Sequence, residues 1–157
     1  MSNLRRREFL TLLGGAAAAW PLAARAQQGD RRRVGIFMDL AEEDREGQTR
    51  VAAFREGMQK LGWTEGQNIT YDYRWTAGSP AVMERYAAEL VALKPEVIMN
   101  GGLPTLIAMQ RQTRTTPIVF AQVLDPVGAG FVDSLMRPGG NITGFVSFEI
   151  LNGGKMA

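Results

Sequence analysis

The amino-acid sequence predicts an α/β fold, a doubly wound parallel sheet of the flavodoxin or Rossmann kind. Short apolar runs typical of buried strands alternate along the chain with amphipathic segments typical of helices. Strands that alternate with helices of about ten to fifteen residues form parallel sheets with right-handed crossovers. Both faces of such a sheet are covered by helices, and its ligands gather beyond the carboxyl ends of the strands.

The first half of this alternation contains two strands and two helices. The run 34–38 predicts a buried strand, and period-two alternation predicts another over 68–75. Three- and four-residue spacing predicts a helix over 48–61, and Ser79, as a capping hydroxyl before a proline, begins a second helix that runs to about residue 93. The predicted inward-facing residues are Val51, Phe54, Met58 and Leu61 in the first helix, Ile69, Tyr71, Tyr73 and Trp75 in the strand, and Val82, Tyr86, Leu90 and Leu93 in the second helix.

The second half continues the pattern over shorter segments. Strands are predicted over 97–99, 118–123 and 142–145, with a helix over 103–112 and a short helix near 131–135. The three strands place their carboxyl ends at the same edge of the predicted sheet.

Residues 1–26 predict an export signal. A charged start precedes a short apolar stretch that ends in a small-x-small cleavage site at Ala24 and Ala26, which is the pattern of a secretory leader. Arg6 and Arg7, followed by Phe9 and Leu10, resemble a twin-arginine signal. We therefore expect a periplasmic protein. The alternative is a cytoplasmic chain with a loosely amphipathic start.

The composition excludes several classes of function. Residues 1–26 hold four arginines and one glutamate, so the rest of the chain carries a net charge of −1 and gives no support for nucleic-acid binding. The basic residues at 31–33 are expected to be a solvated lead-in, with a phosphate site as the alternative, and residues 27–32 are assigned to this lead-in segment. The sequence has no cysteine and no histidine, which removes thiolate chemistry, Cys/His metal sites and histidine base catalysis.

The predicted crevice is formed by three loops that follow strands. Asp39 follows the first strand, and a carboxylate there could hold an ammonium group. The glycines that follow the third strand would let a ligand approach the backbone, or would simply form a tight turn. After the fourth strand, Asp125 could accept hydrogen bonds from a ligand or cap its own loop. The candidate ligand-binding residues are Asp39, Asn100, Gly101, Gly102, Gln122 and Asp125.

Other kinds of site are not supported by the sequence. Neither a G-x-G-x-x-G nor a Walker A motif is present, and the serines have no histidine base, so we expect no cofactor, no metal and no catalysis. Tyr71, Tyr73 and Trp75 could form a stacking platform, but their spacing favours core packing. Two alternatives to a binding module stay open: an exported flavodoxin-like enzyme such as a flavin-dependent reductase, and an exported lobe without a ligand.

The chain resembles an ABC-transporter substrate-binding protein of the tryptophan/tyrosine-type uptake family, which is abundant in soil α-proteobacteria. The resemblance covers nearly the whole chain, and its two most specific motifs lie near the end. The matching segments are 6–10 with 24–27, 33–36, 54–68, 73–75, 88–91, 116–120, and the two specific motifs 125–130 (DPVGAG) and 137–144 (RPGGNITG).

The resemblance implies a periplasmic, two-lobed clamshell of the type I binding-protein kind. Such proteins close on a small ligand, often an amino acid, and deliver it to an ABC permease in the inner membrane. On this basis residues 33–148 are expected to form the N-terminal ligand-binding lobe, and residues 149–157 the start of a crossover to a second lobe that a truncated chain lacks. Members of the family usually have a hydroxyl residue where this chain has Gly102, so a side-chain contact to a ligand carboxylate would be lost.

Overall fold

The computed structural model describes residues 31–146, and the predicted export signal and the predicted crossover at 149–157 lie outside them. Five strands and three helices alternate along the described residues. Their bounds are β1 (Arg32–Met38), α1 (Arg45–Lys60), β2 (Ile69–Trp75), α2 (Pro80–Ala92), β3 (Val97–Asn100), α3 (Leu103–Gln112), β4 (Ile118–Val123) and β5 (Ile142–Val146).

The five strands form one parallel sheet in the order β2-β1-β3-β4-β5. This is the flavodoxin-like order of a doubly wound sheet, so the predicted fold class is confirmed. β1 pairs with β2 on one side, from Arg32↔Ile69 to Met38↔Trp75, and with β3 on the other, from Val34↔Val97 to Phe37↔Asn100. After β1 the chain therefore adds β2 on one side of that strand, and it later adds β3, β4 and β5 on the other side.

The two faces of the sheet have separate apolar cores. One core joins α2 and α3 to β1, β3, β4 and β5, and the other joins α1 to β1 and β2. Alternation along β1 supplies both cores, since Phe37 faces the first while Ile36 and Met38 face the second. The fully buried side chains of the sheet include Ile36, Phe37, Ile98, Ile118 and Phe120.

Helix α1 begins earlier than the sequence spacing predicts. The carboxylate of Asp44 accepts hydrogen bonds from the backbone N–H groups of Glu46 and Gly47, which caps the helix at its start. Val51 is buried as predicted, but Leu61 is 76% exposed. The prediction for Leu61 was wrong because the helix ends at Lys60, and the next residue no longer continues the inward-facing stripe.

Helix α2 buries only part of the predicted stripe. Leu90 is fully buried as predicted, and Met83 and Ala87 are buried beside it, whereas Val82 is only partly buried. Tyr86 lies at the margin of the core, where the guanidinium groups of Arg74 and Arg85 stand 5.6 and 4.9 Å from its ring centre. Ser79 is the capping residue, but its hydroxyl makes no capping hydrogen bond.

The segment between β4 and β5 is a series of turns, and the short helix predicted near 131–135 is absent from it. The backbone N–H groups of Phe131 and Val132 both donate to the carbonyl oxygen of Pro126. Gly130 has a φ of 73°, in the left-handed region that glycine favours and that interrupts a helix. The apolar pattern of this segment arises because Phe131 and Val132 are buried in the core.

The basic lead-in contributes to the sheet itself. Arg32 is the first residue of β1 and its guanidinium lies 2.6 Å from a carboxylate oxygen of Glu96. Arg33 lies 3.2 Å from the carboxylate of Asp72 on the neighbouring strand. These exposed or half-exposed ion pairs stabilise the fold weakly. None of the helices among residues 31–146 has the length and apolar character needed to cross a membrane.

Leu90→Ala should destabilise the protein far more than Leu61→Ala, although both remove the same atoms. Leu90 is fully buried between α2 and the sheet, so its loss leaves a cavity and should lower the free energy of unfolding by about 2–5 kcal/mol. Leu61 is largely exposed, so its variant should stay within about 0.5 kcal/mol of the wild type. Urea unfolding followed by circular dichroism measures both, and equal losses would contradict the described α2 packing.

Gly144→Ala should also destabilise the fold, and Gly140→Ala should not. A Cβ atom added at Gly144 would overlap the carbonyl oxygen of Phe120 and lie 2.6 Å from its ring, whereas one added at Gly140 would have no neighbour within 4 Å. Overpacking of this kind costs about 1–3 kcal/mol. Thermal unfolding of the two variants tests it, and an unchanged Tm for Gly144→Ala would refute the close contact between β4 and β5.

Candidate functional site

The carboxyl ends of β1 and β3 lie side by side at the point where the strand order reverses. Phe37 pairs with Asn100, and the backbone N–H of Gly101 donates to the carbonyl oxygen of Phe37 at 2.9 Å. The chain then enters α1 on one face of the sheet and α3 on the other. In doubly wound sheets this divergence opens the crevice in which ligands bind.

Asp39 and Gly102 meet in this crevice. A Cβ atom added at Gly102 would overlap the carboxylate of Asp39. Gly101 packs equally closely on the side chain of Met38. The two glycines therefore allow the β3–α3 loop to lie against the end of β1. This pairing confirms that Asp39 and Gly102 share one edge of the sheet.

The carboxylate of Asp39 is poorly solvated. Burial raises its pKa above the ordinary value, while its own backbone N–H and the guanidinium of Arg50 act in the opposite direction. Its Oδ1 atom is inaccessible and has no hydrogen-bond partner among the described residues. Burying a carboxylate oxygen without a partner is unfavourable, so these surroundings destabilise the charged form of Asp39.

A turn at the end of β2 holds the backbone of Asp39 in place. Gly78 donates its N–H to the carbonyl oxygen of Asp39 at 2.7 Å, and Ala77 donates to that of Leu40 at 3.1 Å. Both turn residues have positive φ, 47° at Ala77 and 72° at Gly78. The loop after β1 is thus fixed by the segment that leads into α2.

Asn100 holds the β3–α3 loop. Its side chain is fully buried, and its amide nitrogen donates to the carbonyl oxygen of Gly102 at 2.6 Å. The hydroxyl of Thr105 donates to the same oxygen at 3.0 Å. The Oδ1 atom of Asn100 has no partner within residues 31–146. Asn100 therefore stabilises the β3–α3 loop from its buried side.

A groove between α2 and α3 extends from Asp39 and encloses about 420 Å³. Its walls are mostly apolar, and at its far end Arg111 lies 2.7 Å from Glu84. Sequence reasoning missed this groove. The spacing of Pro104, Ile107, Ala108 and Arg111 along one stripe of α3 was the signal that could have found it.

Gly101 and Gln122 lie at a different groove, on the α1 side of the sheet. This groove encloses about 370 Å³ between α1 and strands β3 to β5, and its lining is almost wholly apolar. Gln122 is exposed and has a φ of 62°, where β4 and β5 slip in register between Phe120 and Val123. The sheet thus separates Gln122 from the groove that Asp39 lines.

Asp125 caps its own loop. Its Oδ1 atom accepts the backbone N–H of Gly128 at 2.7 Å, and its side chain is exposed. This hydrogen bond is the capping role that the sequence left open beside ligand contact. The structure does not place Asp125 in either groove.

The aromatic residues of β2 pack into the core, as their spacing predicts. Tyr71 is buried and meets Phe54 of α1 edge to face, with ring centres 5.9 Å apart. Tyr73 and Trp75 pack against the same core. Burial raises the pKa of Tyr73 to about 12, so its phenol stays neutral. Within the described part of the chain, no cluster of acidic residues could hold a metal ion.

Comparison with known proteins gives a family match. The sequence model of a family described as ABC transporter substrate binding protein matches residues 40–152. A tyrosine-binding protein of Clostridioides difficile strain R20291 is 32% identical over 91 residues, which are 58% of this chain and 26% of that protein.

Solved structures agree with this match. A substrate binding protein with adhesive properties from Clostridium difficile, in its ligand-free, open structure, superposes with a TM-score of 0.71 at 26% identity. The superposition covers 77% of this chain and 40% of that protein's chain. A conserved domain protein from Vibrio cholerae superposes with a TM-score of 0.64 at 33% identity, over 73% of this chain and 38% of its own. The chain thus spans well under half of the relatives it matches.

Asp39→Asn should stabilise the protein at neutral pH. Burial raises the pKa of Asp39, so the folded protein favours the protonated carboxyl. The free energy of unfolding therefore falls as the pH rises from below 3.8, the ordinary pKa, through the higher pKa of the folded state. The asparagine variant lacks this penalty, so its Tm should exceed that of the wild type near pH 7 and match it near pH 3. Calorimetry across this range measures the difference.

Glu43→Gln is the matched control, because Glu43 is exposed in the same loop. Its Tm should follow the wild type at every pH. A stabilisation by Asp39→Asn that persisted near pH 3 would show that burial of the charge is not its cause.

Proposed function

This chain belongs to the ABC transporter substrate-binding protein family, and on that basis we propose that it binds a small organic solute for delivery to an ABC permease of the inner membrane. The observation that carries the proposal is the contact between Asp39 and Gly102 at the reversal of strand order. The poorly solvated carboxylate of Asp39, a glycine loop and a mostly apolar groove of about 420 Å³ meet there. A pocket of this size and character suits a small organic ligand.

We propose an amino acid or a related solute as the ligand class. The support is the match to a protein described as tyrosine-binding. In addition, the carboxylate of Asp39 lines the groove and can accept a hydrogen bond from an ammonium group. Of the candidate residues drawn from the sequence, we propose Asp39 and Gly102 as the ones that face the ligand, with Asn100 holding their loop. Gly101 and Gln122 would contribute only from the groove on the α1 side, and Asp125 caps its own loop.

We also propose that the protein acts by binding and not by catalysis. The matched relatives are substrate-binding proteins, and the sequence supplies no histidine or cysteine for acid–base or nucleophilic chemistry. The role requires no bound cofactor. It would depend instead on shape, on the charge of Asp39 and on closure of lobes around the ligand.

The proposed location is the periplasm. It is supported by the family and by the resemblance of residues 1–26 to a twin-arginine signal. We propose residues 33–148 as one ligand-binding lobe and 149–157 as the start of a crossover. The share of each solved relative that the chain covers, about 40%, fits the size of one lobe.

Titration of the full ¹⁵N-labelled chain with L-amino acids and their corresponding amines tests the binding proposal. At least one compound should produce saturable shifts of backbone amide resonances in residues 39–40 and 100–102, because these residues follow the carboxyl ends of β1 and β3, where the crevice opens. Nuclear magnetic resonance is suited to this test because it detects weak binding.

Asp39→Ala should weaken that binding at least about tenfold, the loss expected for removing one charge-assisted hydrogen bond. Glu43→Ala, an exposed acid in the same loop, should leave it unchanged. If no compound shifts the crevice amides, or the shifts cluster only around Trp63 at the opposite end of the strands, the proposed function is wrong.

A further inference from the structure

We propose that this chain selects organic cations that lack a carboxylate, with the charged nitrogen at Asp39 and the apolar body in the α2–α3 groove. The inference rests on the proposed function and narrows its ligand class. It follows from the contact between Asp39 and Gly102, from the charges around that contact and from the lining of the groove.

The first step is steric. The carboxylate of Asp39 occupies the space that a side chain at position 102 would need, since even a Cβ atom there would overlap it. A side chain at position 102 is therefore incompatible with Asp39 in its present position. An ionised carboxylate can only accept hydrogen bonds. The polar group that faces a ligand at this place is therefore an acceptor.

The second step is electrostatic. The cationic side chains near Asp39 are already paired with other acids. Arg50 contacts Glu46 on α1, and Arg111 contacts Glu84 across the groove. Among residues 31–146 neither arginine forms an ion pair with Asp39. A ligand ammonium beside the carboxylate of Asp39, which lines the groove, would supply the opposite charge, whereas a ligand carboxylate at the start of α3 would meet repulsion from Asp39.

The third step concerns the rest of the ligand. The groove beyond Asp39 is lined by apolar side chains from both helices. A hydrocarbon or aromatic body attached to the ammonium would gain from burial there. The apolar lining residues are Pro80, Met83, Pro104, Ile107 and Ala108.

A comparison of tyramine with tyrosine tests this selection, because the two differ only by the carboxylate. In titrations of the full chain monitored by amide resonances, tyramine should bind at least about tenfold more tightly than tyrosine, with the largest shifts at residues 39, 78 and 102. Asp39→Asn should abolish this preference by weakening tyramine binding. Glu43→Gln, which removes a charge of the same sign from the same loop, should preserve it.

A double substitution tests the steric step separately. Gly102→Ser should lower the Tm because its side chain meets the Asp39 carboxylate, and adding Asp39→Gly should restore it. The double variant should also lose the preference for tyramine, since it lacks the acid. A Gly102→Ser variant as stable as the wild type would overturn the steric step and with it the inference.

The binding outcomes separate the two proposals. Tighter binding of tyrosine than of tyramine by the wild type would overturn the inference and leave the proposed function standing. Tyramine binding that survives Asp39→Asn unchanged would overturn it as well. If no amine or amino acid shifts the crevice resonances, both proposals are wrong.

Discussion

The parallel pairing of β1 with β3 is the constraint on which the rest of the structure depends. It aligns the strands from Val34↔Val97 to Phe37↔Asn100, so that both finish at the same level, and Gly101 adds one further hydrogen bond to Phe37. β1 supplies side chains to the cores on both faces, which fixes its position in the middle of the layers. Since the chain turns to opposite faces after the two strands, a crevice opens where they end.

The same pairing explains the glycines of the β3–α3 loop. With the two strand ends in register, the loop lies directly against Met38 and Asp39, and no side chain fits at position 101 or 102 without moving them. Asn100 holds the loop from below through the carbonyl oxygen of Gly102. The close approach of the two strand ends therefore has two effects. It requires glycine at position 102, and it places the carboxylate of Asp39 in the crevice.

Periodicity predicted which segments become strands and helices, and it was less successful at their ends. Leu61 continues the apolar spacing of α1 but lies just past the last residue of the helix and is exposed. In α2, Leu90 is buried as predicted, but Met83 and Ala87 are buried in preference to Val82, because several stripes of this helix are apolar and only packing against the sheet selects among them. Phe131 and Val132 are apolar because a turn places them in the core, and spacing alone cannot distinguish that from a short helix.

The sequence by itself determined the alternation of elements, the parallel sheet and the set of loops that lie at its carboxyl edge. These follow from local spacing and from chain connectivity, which leave few topologies open. Only the tertiary structure decided which loop residues meet: Asp39 with Gly102 on one side, Gln122 at a separate groove, and Asp125 bonded to its own loop. The reason is that strand register and helix packing bring together residues distant in sequence, and neither is encoded in any single segment. The contact of the Asp39 carboxylate with Gly102 is a product of that assembly.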